Sequence, residues 1–186
     1  MHCRDYLRTT AEIALKLDPL EVEAQANELY RVRANFGRVF VIGLGGSLAN
    51  AIHMAADLRK LCNIRAEAMD NIAELTARAN DEGVHTMFHL RGITDRDALM
   101  VLSVGGGTGE VSLALCHAID QAQAAGAKVY GIVGPDGGYT AEQSDICIRV
   151  PVDNQKHVTP HTEAFQAVVW HCLVSHPLLQ KNATKW

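Results

Sequence analysis

The feature that most constrains this chain is a short, unbroken apolar run that ends in glycines. Val39-Phe40-Val41-Ile42 passes directly into Gly43-Leu44-Gly45-Gly46-Ser47. Four or more apolar residues without alternation mark a strand buried on both faces, which is the situation in a parallel sheet covered by helices. Met100-Val101-Leu102, Val129-Tyr130-Gly131-Ile132-Val133 and Ile146-Cys147-Ile148-Arg149-Val150 repeat the signal, and the last run stops at Pro151. Ile64 to Ala68 is a weaker fifth run. Helical stretches fill the gaps: Ser47 to Leu61, Asn71 to Asn80, Gly109 to Ala125 and His161 to Leu179. Strands alternating with helices predict a three-layer α/β/α sandwich around a five-stranded parallel sheet.

Before the first strand, Asp5 to Phe36 reads as two helices. Asp18-Pro19 starts the second, with Asp as N-cap and Pro at the first helical position, and Asn35 and Gly37 close it. A chain of 186 residues fits one domain. We expect residues 1–36 as a helical pair and 37–186 as an α/β core with a C-terminal helix. The outer helices carry more apolar surface than one small sheet can cover, which predicts self-association.

Charge and composition exclude several classes. The net charge is -4 and the isoelectric point near 6.1, with no basic run, so phosphate-backbone binding to nucleic acid is disfavoured. No stretch reaches the 18 or so apolar residues of a membrane span. The N-terminus has an early acid, Asp5, and no apolar core of a secretory signal. Cys3, Cys62, Cys116, Cys147 and Cys172 are odd in number and form no C-x-x-C pair, so they read as reduced thiols in a cytoplasm.

In open parallel sheets, ligands bind at the carboxyl ends of strands. Two loops there are rich in small residues. One is Gly43 to Ser47, with Gly45, Gly46 and Ser47 entering a helix. The other is Ser103-Val104-Gly105-Gly106-Gly107-Thr108-Gly109. Glycines, hydroxyls and a helix N-terminus make an anion site, because backbone N–H groups and the helix dipole both favour negative charge. The alternative is that these glycines only turn the chain tightly. The first loop lacks a dinucleotide fingerprint, since Leu48 stands where the third Gly is needed, and it lacks a P-loop ending. A phosphorylated small molecule fits better than a dinucleotide or ATP.

A second group of residues has metal-ligand chemistry. His53 and Asp57 lie four apart on the helix leaving the first glycine loop, and so share a face. Glu163 and His171 lie eight apart on the last helix. Two imidazoles and two carboxylates would suit zinc or another divalent cation. However, eight residues span about 12 Å of straight helix. Such a site therefore needs a deformed helix, a subunit boundary, or only three ligands.

These motifs resemble the sugar isomerase (SIS) domain, and most closely its phosphoheptose isomerase family. Gly43-Leu44-Gly45-Gly46-Ser47 is similar to the family's G-N-G-G-S loop. Leu75-Thr76-Ala77-Arg78-Ala79-Asn80-Asp81 is similar to L-T-A-x-A-N-D, and Asp136-Gly137-Gly138 to its D-G-G turn. Ser103 to Thr108 stands where the family has S-T-S-G-N-S, and Ile148-Arg149-Val150-Pro151 matches I-R-V-P. The resemblance implies a flavodoxin-like fold and a homotetramer with sites at subunit contacts. It implies interconversion of sedoheptulose 7-phosphate and D-glycero-D-manno-heptose 7-phosphate.

By that resemblance Ser47, Ser103 and Thr108 hold the phosphate, among Gly45, Gly46, Gly105, Gly106 and Gly107. Asp57 and His171 take the places of the catalytic Glu and His. His53, Asp57, Glu163 and His171 fall on the zinc positions, where the family has His, Glu, Gln and His. Asp70 stands where the family places a site-facing Asp, although a helix N-cap role reads equally well. The chain also departs from the pattern: Leu44 replaces Asn, Gly105 replaces a phosphate-binding Ser, and Leu61 replaces Arg. Two alternatives remain open: an isomerase or sensor for another sugar phosphate, and a non-catalytic SIS binding module of the type that associates with a replication initiator.

Overall fold

The computed structural model describes residues 1–184. Two helices, α1 (His2–Lys16) and α2 (Pro19–Ala34), precede the sheet. The order then runs β1 (Arg38–Gly43), α3 (Gly46–Cys62), β2 (Arg65–Ala68), α4 (Ile72–Asp81), β3 (Ala98–Ser103) and α5 (Leu113–Ala124). It ends with β4 (Lys128–Val133), α6 (Gly138–Gln143), β5 (Ile146–Arg149) and α7 (Val158–Val174). The five strands are all parallel, in the order β2-β1-β3-β4-β5. The α/β sandwich expected from the apolar runs is therefore the observed architecture.

Successive strand residues supply opposite faces, and each face has its own core. Val39, Val41, Met100, Leu102, Tyr130 and Ile132 pack under α2, α3 and α7, against Leu29, Met54, Leu58, Phe165 and Trp170. Phe40, Ile42, Leu99, Val101 and Val129 pack on the other side, against Leu75 of α4 and Leu115 and Ile119 of α5. Both layers are buried, which explains why these strands read as continuous apolar runs.

Local chemistry sets the element ends. Asp18 caps α2, its carboxylate accepting from the Leu20 N–H at 2.8 Å, with Pro19 following. The Arg33 guanidinium, near the end of α2, donates to the carbonyls of Cys62, Leu178 and Leu179 at 2.6–2.9 Å. One side chain thereby ties down the end of α3 and the segment after α7. Asp97, just before β3, accepts from the Arg38 N–H at 2.7 Å and so levels the starts of β1 and β3.

Three boundaries differ from those expected. α5 begins at Leu113 rather than Gly109, because the Thr108 hydroxyl accepts from Val111 N–H at 2.9 Å and closes a turn, and Ser112 has φ +60°. α7 runs Val158–Val174, ending ahead of Pro177 rather than at Leu179. α4 is capped by Asn71, whose side chain accepts from Glu74 N–H, and not by Asp70. The short helix α6 was not foreseen. No helix among the described residues is long and apolar enough to cross a membrane.

Candidate active site

The sheet order reverses between β1 and β3, where ligands bind in open α/β sheets. Both glycine loops leave the sheet at this point. They border a cleft of about 240 Å³ lined by Leu44, Ser47, Ser103, Gly105, Gly107 and Thr108.

The second loop is held from below. The Ser103 hydroxyl accepts from the Gly106 N–H at 3.0 Å. The Gly106 carbonyl accepts from both the N–H and the hydroxyl of Thr140, at 2.9 and 2.6 Å, and the Gly107 carbonyl accepts from the Tyr139 N–H. Gly106 has φ +72°, and a Cβ there would run into the Gly137 carbonyl, so only glycine fits. With its carbonyls engaged, the loop leaves the N–H groups of Gly105 and Gly107 without a hydrogen bond among the described residues. A Cβ at Gly105 would meet nothing within 4 Å, so the cleft is roomy there. Thr108 turns its hydroxyl to the N–H groups of Glu110 and Val111 and thus shapes the rim.

Ser47, the second residue of α3, is 2% exposed. Its hydroxyl accepts from Gln166 Nε2 at 3.0 Å, while Gln166 Oε1 accepts from Asn50 Nδ2 at 3.0 Å. Asn50 also donates to the Glu163 carbonyl at 2.9 Å. This polar clasp joins α3 and α7 side by side. Sequence reasoning did not select Asn50 or Gln166. The available signal was a lone Gln in the apolar stretch from Ala164 to Val169.

Farther along the same helix pair, His53, Asp57 and His171 come together, with one ligand atom from each lying within 4.8 Å of the others. His53 Nε2 is 3.7 Å from Asp57 Oδ2. The His171 ring stacks on the buried indole of Trp170 at 3.5 Å, and His53 meets that indole edge-on at 4.6 Å. The three residues line a cleft of about 430 Å³ with Lys60, Leu61 and Gln180. His171 Nδ1 lies 2.8 Å from the Ala167 carbonyl, which only accepts. Nδ1 therefore carries the proton, and Nε2 offers a lone pair.

Glu163 is not part of this group. Its carboxylate lies on Gly46, where a Cβ would find Cδ at 2.6 Å and Oε1 at 2.7 Å. The helical rise gives the reason: Gly46 and Glu163 face each other about two turns above His53 and His171. The four-ligand set inferred from the sequence is thus corrected to three, with two imidazoles and one carboxylate. Asp70 is exposed and lines a separate hollow beside β2 with Glu67 and Asn71, away from the glycine-loop cleft.

The three remaining residues fit a divalent cation. Tetrahedral zinc with bonds of about 2.0–2.2 Å holds its ligand atoms about 3.3–3.6 Å apart, so side-chain adjustments of about an ångström would close the site. A His₂-carboxylate set also leaves a coordination position open.

Comparison with known proteins identifies the family. The model of the SIS domain matches residues 4–134. Phosphoheptose isomerase of Rhodospirillum rubrum is 32% identical over 183 positions, covering 91% of this chain and 92% of the relative. The chain belongs to the SIS domain family, among the phosphoheptose isomerases. Another relative of this SIS domain is the lincomycin biosynthesis protein LmbN of Streptomyces lincolnensis, 30% identical over 186 positions, covering 93% of this chain and 68% of the relative. The structure of a phosphoheptose isomerase from Francisella tularensis superimposes on the SIS domain with a TM-score of 0.79. It has 25% identity and covers 93% of this chain and 92% of that one.

Proposed function

We propose that the protein is a sugar-phosphate isomerase that interconverts an aldose and a ketose, with sedoheptulose 7-phosphate as the ketose. The observation that carries this reading is the meeting of Asp57 and His171 on one cleft, beside His53. Six residues of α3 separate His53 from Ser47, about 9 Å along the axis. That is the scale of a sugar with a phosphate at its far end.

In this reading Gly105, Gly107 and Ser103 line the seat of the phosphate, whose charge suits free backbone N–H groups. Asp57 removes the proton from the carbon next to the carbonyl and returns it to the neighbouring carbon. His171 Nε2 takes the hydroxyl proton from one oxygen and delivers it to the other, so one hydrogen changes carbon and no atom is lost. Positioned acid–base groups of this kind contribute about 10²–10⁴-fold each. The Trp170 indole stacks on the His171 ring and would steady it for this relay.

His53, Asp57 and His171 would hold a divalent cation such as zinc, which supplies Lewis-acid polarisation of the substrate oxygen when bound. The same lone pairs serve proton transfer, so a residue that held the cation would not act as base or acid while bound to it, and a permanently held cation would be structural. Ile52 is 40% exposed and Val168 51% exposed on the outer side of α3 and α7. This exposed apolar surface supports self-association, for which the family resemblance implies a homotetramer with sites at subunit contacts. The reduced cysteine set supports a cytoplasmic enzyme.

A second reading keeps the chemistry and changes the sugar. The open space at Gly105, where the family carries a phosphate-binding Ser, favours it. The test is turnover of sedoheptulose 7-phosphate, measured with metal content by mass spectrometry before and after chelation, in the natural chain and in Asp57→Asn. Turnover lost in a folded Asp57→Asn supports the assignment, and full activity in that variant overturns it. Bound zinc without turnover moves the reading to another sugar phosphate. Absence of both moves it to a binding module.

A further inference from the structure

The second glycine loop is oriented by hydrogen bonds on its side away from the cleft. In a trans peptide unit the C=O and N–H point in opposite directions, and no peptide among the described residues is cis. A partner that holds one carbonyl therefore aims the next residue's N–H the other way. The Val104 carbonyl accepts from the Gly134 N–H at 2.9 Å, which sets the Gly105 N–H. The Gly106 carbonyl is held by Thr140, which sets the Gly107 N–H. Gly105 and Gly107 both line the cleft.

The two ties differ in kind. Main chain alone makes the first. The second adds a side chain: besides its N–H at 2.9 Å, Thr140 donates its hydroxyl to the same carbonyl at 2.6 Å, the hydroxyl's one hydrogen bond among the described residues. Thr140 stands in the first turn of α6, whose N–H groups lack helical partners and so reach the loop carbonyls. The side chain is fully buried. Its Cγ2 fills the place beside Gly131 of β4, where a Cβ would lie 2.7 Å from it. With the methyl seated on the sheet, the hydroxyl faces the loop.

We propose that Thr140 is a positioning residue for substrate binding: its hydroxyl holds the Gly106–Gly107 peptide so that the Gly107 N–H is presented to the anionic group of the substrate. Thr140 touches neither the substrate nor the reacting atoms, and acts through that peptide. A hydroxyl-bearing residue at position 140 fills the role, and an apolar one of equal size does not. This inference rests on the sugar-phosphate reading above for the identity of the ligand, and its test is independent of turnover.

The experiment uses the full chain and inorganic phosphate as the probe, with backbone amide resonances followed during titration. In the natural chain the Gly105 and Gly107 amides should both move on binding. Thr140→Ser keeps the hydroxyl and should reproduce that map and that affinity. Thr140→Val keeps the shape and the N–H bond but loses the hydroxyl. Phosphate should bind it about tenfold more weakly, the order of one hydrogen bond to a charged group. The Gly107 shift should shrink there while the Gly105 shift persists, because Gly134 still holds Val104. Thr140→Ala should behave as Thr140→Val does, and replaces it in the test if the valine variant does not fold. Loss of both shifts together, or a serine variant as weak as the valine one, overturns the inference and leaves Thr140 a packing residue. So does a natural chain whose Gly107 amide stays still, or a valine variant of unchanged affinity. Failure to turn over sedoheptulose 7-phosphate by a chain that gives the expected map would instead count against the isomerase reading alone.

Discussion

His171 turns its Nδ1 to the Ala167 carbonyl one helical turn earlier, at 2.8 Å, and this bond fixes which nitrogen faces the cleft. A ring held in one tautomer costs no reorganisation when it accepts a proton. Glutamine at this position can supply a similar N–H donor to that carbonyl but has no lone-pair nitrogen to take a proton. We expect His171→Gln to lower kcat about 10²–10⁴-fold with little change in the folded signal. Steady-state turnover beside circular dichroism checks this, and a loss of less than tenfold would remove His171 from the proton relay.

Gln166 is fully buried, and both ends of its amide are used, one on Ser47 and one on Asn50. Gln166→Leu fills the space but strands two polar partners, at a cost of about 1–3 kcal/mol. Because Ser47 belongs to the glycine-loop cleft, the variant should raise KM more than it lowers kcat. Chemical denaturation and steady-state kinetics on one preparation test both halves.

Gly106→Ala should be worse than its single methyl group suggests. The residue has φ +72°, and the added Cβ collides with the Gly137 carbonyl. Left-handed strain costs about 1–3 kcal/mol before the collision is counted. A fall in melting temperature with loss of phosphate binding is expected; unchanged melting would mean that the Gly106 loop is not locked against the Gly137 turn.

The sheet was legible because burial on both faces removes alternation, as in Val39–Ile42 and Val129–Val133, and a glycine after the strand marks the binding edge. Other features are set by contacts far apart in sequence. The Ser112 φ of +60° that delays α5 follows from the turn that Thr108 closes with Val111. Glu163 and His171 share a helical face by spacing, but only the register of α7 against α3 decides which neighbour each one meets. Asp70 and Asn71 are both good caps, and their side-chain geometry gives the cap to Asn71. α6 is six residues long, too short for periodicity to mark.

Asp97 offers a pH test. Burial pushes its carboxyl up, but hydrogen bonds from Arg38 N–H and from the Thr94 hydroxyl and N–H, with the Arg38 charge, outweigh burial and hold it below the ordinary 3.8. A carboxyl lowered in the folded state stabilises fully above its unfolded value, and that stability is lost as pH falls through the folded value. Asp97→Asn should cost about 1–3 kcal/mol near neutrality. The two stability curves should converge in acid below pH 3.8; parallel curves would rule out this carboxylate as an acid-sensitive tie.

The thiols should divide by environment. Burial pushes Cys62 and Cys147 to about 11, with partial relief from Arg33 and Arg149 respectively, and it also raises Cys116. The thiolate is the reacting form, so these three should stay silent toward a disulfide reagent at pH 8 until denaturant is added. Rapid labelling of any of them in the native protein would contradict the packing described above.

The clasp between Ser47 and Gln166 joins positions 119 residues apart. At translation speeds of about 5–20 residues per second, the first glycine loop waits roughly 6–24 seconds on the ribosome for its partner. Through that interval α3 has no α7 beside it, and His53 and Asp57 have no His171. The nascent chain can pair its early strands long before it can handle a substrate. A messenger cut short ahead of the last helix would yield an inert polypeptide rather than a slow enzyme.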